Sequence, residues 1–273
     1  MAYYISGNRR NYFIEFGSGR PIVLLHGISN SGRAWGPQIA PLVEAGFRVI
    51  VPDHAGHGAS AKLDQPIGVS DLAADVAALL DHLSIEAADI IGLSLGGMVA
   101  LEIALTQPRR VGKLIVANSF DTTATDEFRT MAEGWARTFR GEDGPVKRFE
   151  GIWPMNVGGA FQASAEGVKT YQVWHGLAAT ADGPSLAYVA EGIVGFDATA
   201  RLASLSMPVL FIAGEQDRMS PPVVSRRMAD RVPGARYVEI QGGAHISNVD
   251  SAAAFNEAVI TFLGDGPAST KLD

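Results

Sequence analysis

The stretch Ala88-Asp89-Ile90-Ile91-Gly92-Leu93-Ser94-Leu95-Gly96-Gly97-Met98 constrains the fold of this chain more than any other. Ile90 to Leu93 is a short apolar run, the pattern of a buried strand. Met98 to Leu105 is apolar but for Glu102, the pattern of a buried helix. Ser94 sits between them, flanked by Gly92 and Gly96 in a G-x-S-x-G arrangement. Strand, serine and helix in that order are the setting of a nucleophile elbow. Such a turn is tight enough for side chains two residues either side of the serine to collide, and glycine at 92 and 96 removes them. Gly97 is expected to let the helix lie close to a neighbouring strand. A serine that merely caps a helix would also suit a tight turn. The nucleophile reading therefore requires a base, an acid and an oxyanion hole elsewhere in the chain.

The rest of the chain alternates strand and helix. Tyr3–Ser6 and Tyr12–Phe16 read as a hairpin around Gly7-Asn8-Arg9-Arg10. Pro21–Leu25 is a continuous apolar strand, as expected where both faces of a sheet are covered. It ends in the small-residue loop His26–Gly32. Trp35–Glu44 reads as a helix with Ile39, Leu42 and Val43 inward, and Phe47–Val51 as the next strand. The turn-rich loop Pro52–Ser60 follows. Ser70 is the expected cap of a helix carrying Asp71 in its first turn and Leu72, Val76, Leu79, Leu80 and Leu83 on one face. After the elbow, Val111–Ala117 is another strand. From 120 to 202 the periodicity weakens, and Trp, Met, Phe and Gly become frequent. That segment reads as several short helices forming a lid. Alternation resumes with the strand Pro208–Ala213, the helix Pro222–Arg231, the edge strand Ala235–Ile240, the turn Gly242–His245 and the closing helix Ala252–Leu263. The order implies a mostly parallel sheet with helices on both faces. The expected organisation is a core from 1–119 and 203–265, a lid from 120–202 and a frayed tail at 266–273.

At 273 residues the chain fits one large α/β domain with an insertion. A net charge of −7 argues against nucleic acid and anionic membrane as partners. No run of about 20 apolar residues spans a membrane, and the start lacks a secretion signal. The absence of cysteine excludes disulfides, a thiol nucleophile and thiolate metal sites. No histidine pair has i, i+4 spacing, so neither a metal nor another cofactor is expected. Together these features favour a cytoplasmic protein acting on a small molecule. A homodimer is compatible with them.

A serine hydroxyl needs a base to take its proton, and the base needs a carboxylate to fix its tautomer. Ser94, Asp217 and His245 each stand just after a strand. In an open parallel sheet, ligands sit beyond the carboxyl ends of the strands, so the three can converge at one rim. Of six histidines, His54 and His57 lie in a glycine-rich loop, His82 in a helix and His175 in the lid. Only His245 follows the last strand. Glu215 and Asp121 compete with Asp217 for the acid. The oxyanion hole is expected from the backbone N–H groups of Leu95, next to the nucleophile, and Ile28, after His26-Gly27. Trp135, Trp153 and Trp174 are the candidate pocket residues of the lid, although each aromatic there could equally be core. A substrate carboxylate would require a lid cation, from Arg129, Arg137, Arg140, Lys147, Arg148 or Lys169.

Five motifs in order, His26-Gly27, Asp53-x-x-Gly56-x-Gly58-x-Ser60, Gly92-x-Ser94-x-Gly96-Gly97, Gly214-x-x-Asp217 and Gly243-x-His245, resemble the α/β-hydrolase family over nearly the whole chain. Within it the chain is most similar to the 3-oxoadipate enol-lactonase and small esterase-lactonase group. That likeness is carried by Gly92–Met98, Gly234–Ile240, and His245-Ile246-Ser247-Asn248-Val249 with Ala254-Phe255. The resemblance implies an eight-stranded α/β-hydrolase sheet and a serine hydrolase of small lactones or carboxylic esters. A C–C bond hydrolase of vinylogous keto acids, a perhydrolase, or a hydrolase-fold ligand receptor could use the same scaffold. Dehalogenases and epoxide hydrolases of this fold need an aspartate where Ser94 stands. The chain departs from the family at Ala55, where the relatives usually carry Arg, which bears on the packing of that loop.

Overall fold

The computed structural model describes residues 2–264. The expected frayed tail, 266–273, lies outside them. Eight strands form one sheet in the order β1-β2-β4-β3-β5-β6-β7-β8. They are β1 (Ala2–Ser6), β2 (Arg9–Phe16), β3 (Arg20–Leu25), β4 (Phe47–Pro52), β5 (Ala88–Leu93), β6 (Val111–Ala117), β7 (Val209–Gly214) and β8 (Arg236–Ile240). β2 pairs antiparallel with β1 and β4, and the pairs from β4 to β8 are parallel. The hairpin turn is only Gly7-Asn8, since Arg9 and Arg10 already pair with Ser6 and Ile5.

The helices are α1 (Gly36–Glu44), α2 (Val69–His82), α3 (Leu95–Thr106), α4 (Asp126–Arg140), α5 (Gly144–Asn156), α6 (Gly159–Ala163), α7 (Ala165–Ala178), α8 (Gly183–Gly192), α9 (Pro222–Arg231), α10 (Ser247–Asp250) and α11 (Ala252–Gly264). The N-cap of helix α2 stands two residues before the expected one. Gly68 is its N-cap, and the Asp71 carboxylate accepts the Gly68 N–H at 3.0 Å, so the acid does the capping and Ser70 does not. Helix α1 buries Gln38 beside Leu42, because the Gln38 amide donates to Asn248 O at 2.7 Å.

Two hydrophobic clusters cover the two faces of the sheet. One packs Leu72, Val76 and Leu80 of α2 and Met98 and Leu101 of α3 against Val23, Ile90 and Val116. The other packs Leu42 of α1 and Phe255 and Val259 of α11 against Ile22, Leu24, Ile91 and Ile212. β5 and β7 are buried along their whole length, as continuous apolar strands in the centre of a covered sheet must be. β8 is half exposed, as suits an edge.

Between β6 and β7 the described chain forms α4 to α8, with an isolated bridge between Thr122 and Asp197 near the segment's two ends. Helices α4, α7 and α8 start at polar caps. Thr125 Oγ1 accepts the Phe128 N–H at 3.1 Å, Ser164 Oγ the Gly167 N–H at 3.0 Å, and Asp182 Oδ2 the Ser185 N–H at 3.0 Å. Each such cap stabilises its helix by about 1 kcal/mol. Helices α4 and α8 share a small core of Ala136, Phe139, Leu186, Ala187 and Ala190.

Candidate active site

β5 delivers Ser94 directly into α3. Its backbone has φ 54° and ψ −117°, a left-handed conformation that costs a non-glycine residue about 1–3 kcal/mol. The surroundings hold it there. Ser94 N–H donates to Ala117 O at 3.0 Å, and its carbonyl accepts the Ser119 hydroxyl at 2.7 Å. A Cβ on Gly92 would collide with the Gly96 carbonyl, and one on Gly96 with the Leu25 carbonyl. The elbow therefore closes only with glycine at both positions.

Three side chains from three strand ends meet at this rim. His245 Nε2 lies 3.0 Å from Ser94 Oγ, and His245 Nδ1 lies 2.9 Å from Asp217 Oδ2 and 3.1 Å from Oδ1. All three residues are buried. An ionised carboxylate can only accept, so the ring proton belongs on Nδ1, and the Nε2 lone pair faces the serine hydroxyl. Burial opposes the charge on Asp217, but the His245 ring and the hydrogen bonds it receives outweigh burial and hold its carboxyl below the ordinary value. Besides His245, those donors are the N–H groups of Met219 and Ser220, the Ser220 hydroxyl and the Asn118 amide.

The competing residues stand elsewhere. Asp121 accepts from Arg227, Arg231 and Thr199. Glu215 accepts the Gly242 N–H. His82 packs on Tyr4 and Phe13, and His175 pairs with Glu150 near the surface.

The N–H of Leu95 opens α3, where the helix dipole is positive. The N–H of Ile28 stands in the loop after β3. Neither has an acceptor among the described residues, and both residues line the cavity above Ser94.

The Ile28 loop is set by a cluster of three buried histidines, tilted or edge-on to one another, with ring centroids 4.5 Å (His26–His54) and 5.0 Å (His26–His57) apart. His26 Nδ1–H donates to Gly27 O, and its Nε2 accepts the His54 N–H. His54 Nε2–H donates to His26 O. His57 Nδ1–H donates to Ala55 O, and its Nε2 accepts the Ser29 N–H. Burial lowers the pKa to about 4 for His26 and about 3 for His57, and well below the ordinary value for His54. Asp53 adds two backbone bonds, from Gly32 at 2.7 Å and Ala59 at 2.9 Å. With Ala55 fully buried, the loop's packing comes from these groups.

The cavity over Ser94 holds about 1140 Å³, including its mouth. Trp135 and Trp174 line it. Trp153 does not. It is buried behind the wall, its ring 5.5 Å from Phe149, 5.4 Å from Tyr171 and 6.3 Å from Trp174, so it belongs to the core of that segment. Of the lid cations, Arg129, Arg137, Arg140, Lys147 and Lys169 are exposed, and only Arg148 is buried and lines the cavity.

Several supporting residues have no motif to mark them. Asn118, directly after β6, donates to Asp217 Oδ2 at 2.9 Å and Ala244 O at 3.1 Å, and accepts the Ser247 hydroxyl at 2.7 Å. Asp250 Oδ2 accepts the Ala244 N–H at 2.8 Å and the Gly158 N–H at 2.9 Å. The one available signal was a polar residue ending an apolar strand at the same rim, which singles out Asn118. Among the described residues no cluster of His, Cys, Asp or Glu is arranged to hold a metal ion, and no helix is long and apolar enough to cross a membrane.

The chain belongs to the α/β hydrolase fold family, whose sequence profile matches residues 20–252. It is an enzyme of the hydrolase type that this family comprises. Among individual relatives, a protein of Azorhizobium caulinodans named as a RutD carbamate hydrolase is 29% identical over 269 residues, covering 97% of this chain and 99% of its own. The enol-lactonase of Burkholderia xenovorans LB400 superposes with a TM-score of 0.89 at 26% identity, over 97% of this chain and all (100%) of that one. A malate-bound thermophilic esterase of Thermogutta terrifontis gives 0.89 at 26% identity, over 96% and 97%. The resemblance to the enol-lactonase and esterase group thus extends to the three-dimensional fold.

Proposed function

We propose that this protein is a serine hydrolase that opens a small lactone or cleaves a small carboxylic ester through an acyl-enzyme. The observation that carries the reading is the unbroken row from Asp217 through His245 to Ser94, with links of 2.9 and 3.0 Å, at the floor of a largely apolar cavity. Ser94 Oγ attacks the carbonyl carbon as His245 Nε2 takes its proton. Asp217 holds the ring in the required tautomer and stabilises the imidazolium. The developing oxyanion lies between the N–H groups of Ile28 and Leu95. Each such donor supplies about 3 kcal/mol of transition-state stabilisation. The imidazolium then protonates the leaving alkoxide, which in a lactone stays attached to the acyl chain. Water activated by His245 releases the acid and frees Ser94. Helices α4 to α8 act as a cap, with Trp135 and Trp174 forming the apolar wall for the acyl group. The lactonase and esterase among the similar structures support this chemistry, and a carbamate, as in the name of the sequence relative, presents the same kind of acyl carbon.

Hydrolysis of p-nitrophenyl acetate and a panel of small lactones tests the reading. Ser94→Ala is expected to lower kcat/KM by roughly 10⁴-fold or more while leaving the fold intact. An Ser94→Ala protein as active as the wild type would rule the mechanism out.

A further inference from the structure

We infer that Arg148 is the counter-ion for a carboxylate carried by the substrate, so that the cavity takes esters or lactones whose acyl chain ends in an anion. This rests on the serine-hydrolase reading above and adds the substrate's charge to it.

The guanidinium stands in the wall of the cavity that also exposes Ser94, Leu95 and Ile28. Arg148 is only 6% exposed. Its Nε and Nη1 are sealed from solvent with no hydrogen-bond partner, which leaves Nη2 as the nitrogen that reaches the cavity. Among the described residues no carboxylate pairs with it, and none of the residues lining the cavity is acidic. Among the described residues it rests on the face of Trp135, 4.8 Å from the guanidinium carbon. The contrast with its neighbours is sharp. Arg140 pairs with Glu191 near the surface, and the Lys147 ammonium donates to Glu142 O. Burial alone lowers the Arg148 pKa to about 10, so the group is still a cation at neutral pH.

An unpaired cation sealed from water destabilises a fold, and a hydrophobic residue of similar size would pack there without that penalty. A group kept in that condition beside a reactive serine fits a partner that arrives with the ligand. A carboxylate oxygen can accept from the Nη2 N–H groups in a charge-assisted hydrogen bond, the strong kind that such a cation makes. The cavity that holds both the charge and the serine is lined largely by apolar side chains, Met98, Phe128, Trp135 and Phe149 among them, which suits a hydrocarbon spacer. Asn156, on the same helix as Arg148, offers the cavity a further polar side chain.

The test compares p-nitrophenyl butyrate, which is neutral, with mono-p-nitrophenyl glutarate, which carries a carboxylate at the far end. The measured quantity is the ratio of kcat/KM, anionic over neutral. The wild type should favour the anionic ester. Arg148→Met should collapse that ratio by roughly 30-fold, chiefly through KM for the anionic ester, and Arg148→Lys should restore part of it. Calorimetry with monomethyl glutarate gives a readout without turnover. It should bind Ser94→Ala and fail to bind the Ser94→Ala, Arg148→Met double variant. A ratio unchanged in Arg148→Met, or equal binding by both inactive proteins, overturns the inference. Failure of the wild type to cleave either ester counts against the hydrolase reading, and the calorimetry still decides the role of Arg148. Thermal melting guards against a purely structural role. Arg148→Met without ligand should melt at or above the wild-type temperature, and a lower melting point with a retained ratio would mark Arg148 as a prop for Trp135.

Discussion

The candidate chemistry is concentrated in a few side chains whose immediate partners decide what they can do. Asp217 is useful only because donors surround it, and Asn118 is the one that reaches both the carboxylate and the backbone of the turn carrying His245. Asn118→Ala removes a hydrogen bond to a charged group, a loss of about 1.5–3 kcal/mol, so kcat/KM should fall roughly 10- to 100-fold. The effect should appear in kcat with KM little changed, and steady-state kinetics on any cleaved ester will show it. An equal loss in KM alone would mean that Asn118 shapes the pocket and leaves the relay untouched. At this scale the sequence was informative where chemistry imposes spacing. Ser94 is marked by its glycines, and Asp217 and His245 by the strands before them. It was silent where identity depends on packing. Trp153 and Trp174 look alike along the chain, yet Trp174 lines the cavity while Trp153 is buried against Phe149 and Tyr171. Arg148 was one of six lid cations until burial separated it.

At the scale of elements, the loop after β3 and the loop after β4 act as one unit. Three histidine rings and Asp53 tie them together, and the tie requires neutral rings. Protonating His26 or His57 would set a ring N–H against the backbone N–H it now accepts. The unfolded rings titrate near 6.5, whereas the folded values lie at about 4 for His26 and about 3 for His57, depressed by burial. Between those limits the unfolded chain binds protons that the folded chain refuses. Stability is therefore whole above pH 6.5 and falls as the pH drops toward 4, each ring contributing up to about 1.4 kcal/mol per pH unit. Asp217, with its lowered pKa, adds a loss only at still lower pH. Urea midpoints measured from pH 8 to pH 4 should be flat at first and then decline from about pH 6.5. A flat profile down to pH 4.5 would contradict this account. The strands and helices that make this unit were legible from hydrophobic periodicity, since central strands such as β5 and β7 have no polar face. Element ends were less so. The start of α2 moved because Asp71 reaches back to Gly68, a bond that Ser70 could also have offered on composition alone.

On the scale of the whole molecule, the α4–α8 segment is joined to the rest of the chain beside His245. Ile246 N–H donates to Asn156 O at 2.9 Å. Asp250 Oδ2 accepts one N–H from Gly158, between α5 and α6, and one from Ala244, next to His245. Removing that carboxylate leaves two N–H groups to find other partners, so Asp250→Ala should destabilise the protein by about 2–4 kcal/mol and lower kcat. Denaturant melts and kinetics on the same preparation check both. A variant with wild-type stability would show that water replaces the carboxylate freely.

The sharing of Asp250 has a mechanical consequence. One oxygen atom serves as the hinge pin for two parts that an enzyme of this shape would want to move independently, the roof of the chamber and the arm that holds the imidazole. Lifting the roof by its α5–α6 corner would drag the arm with it and spoil the proton path. Ligand traffic is therefore expected through the existing mouth, with the Asp250 corner staying shut through every turnover.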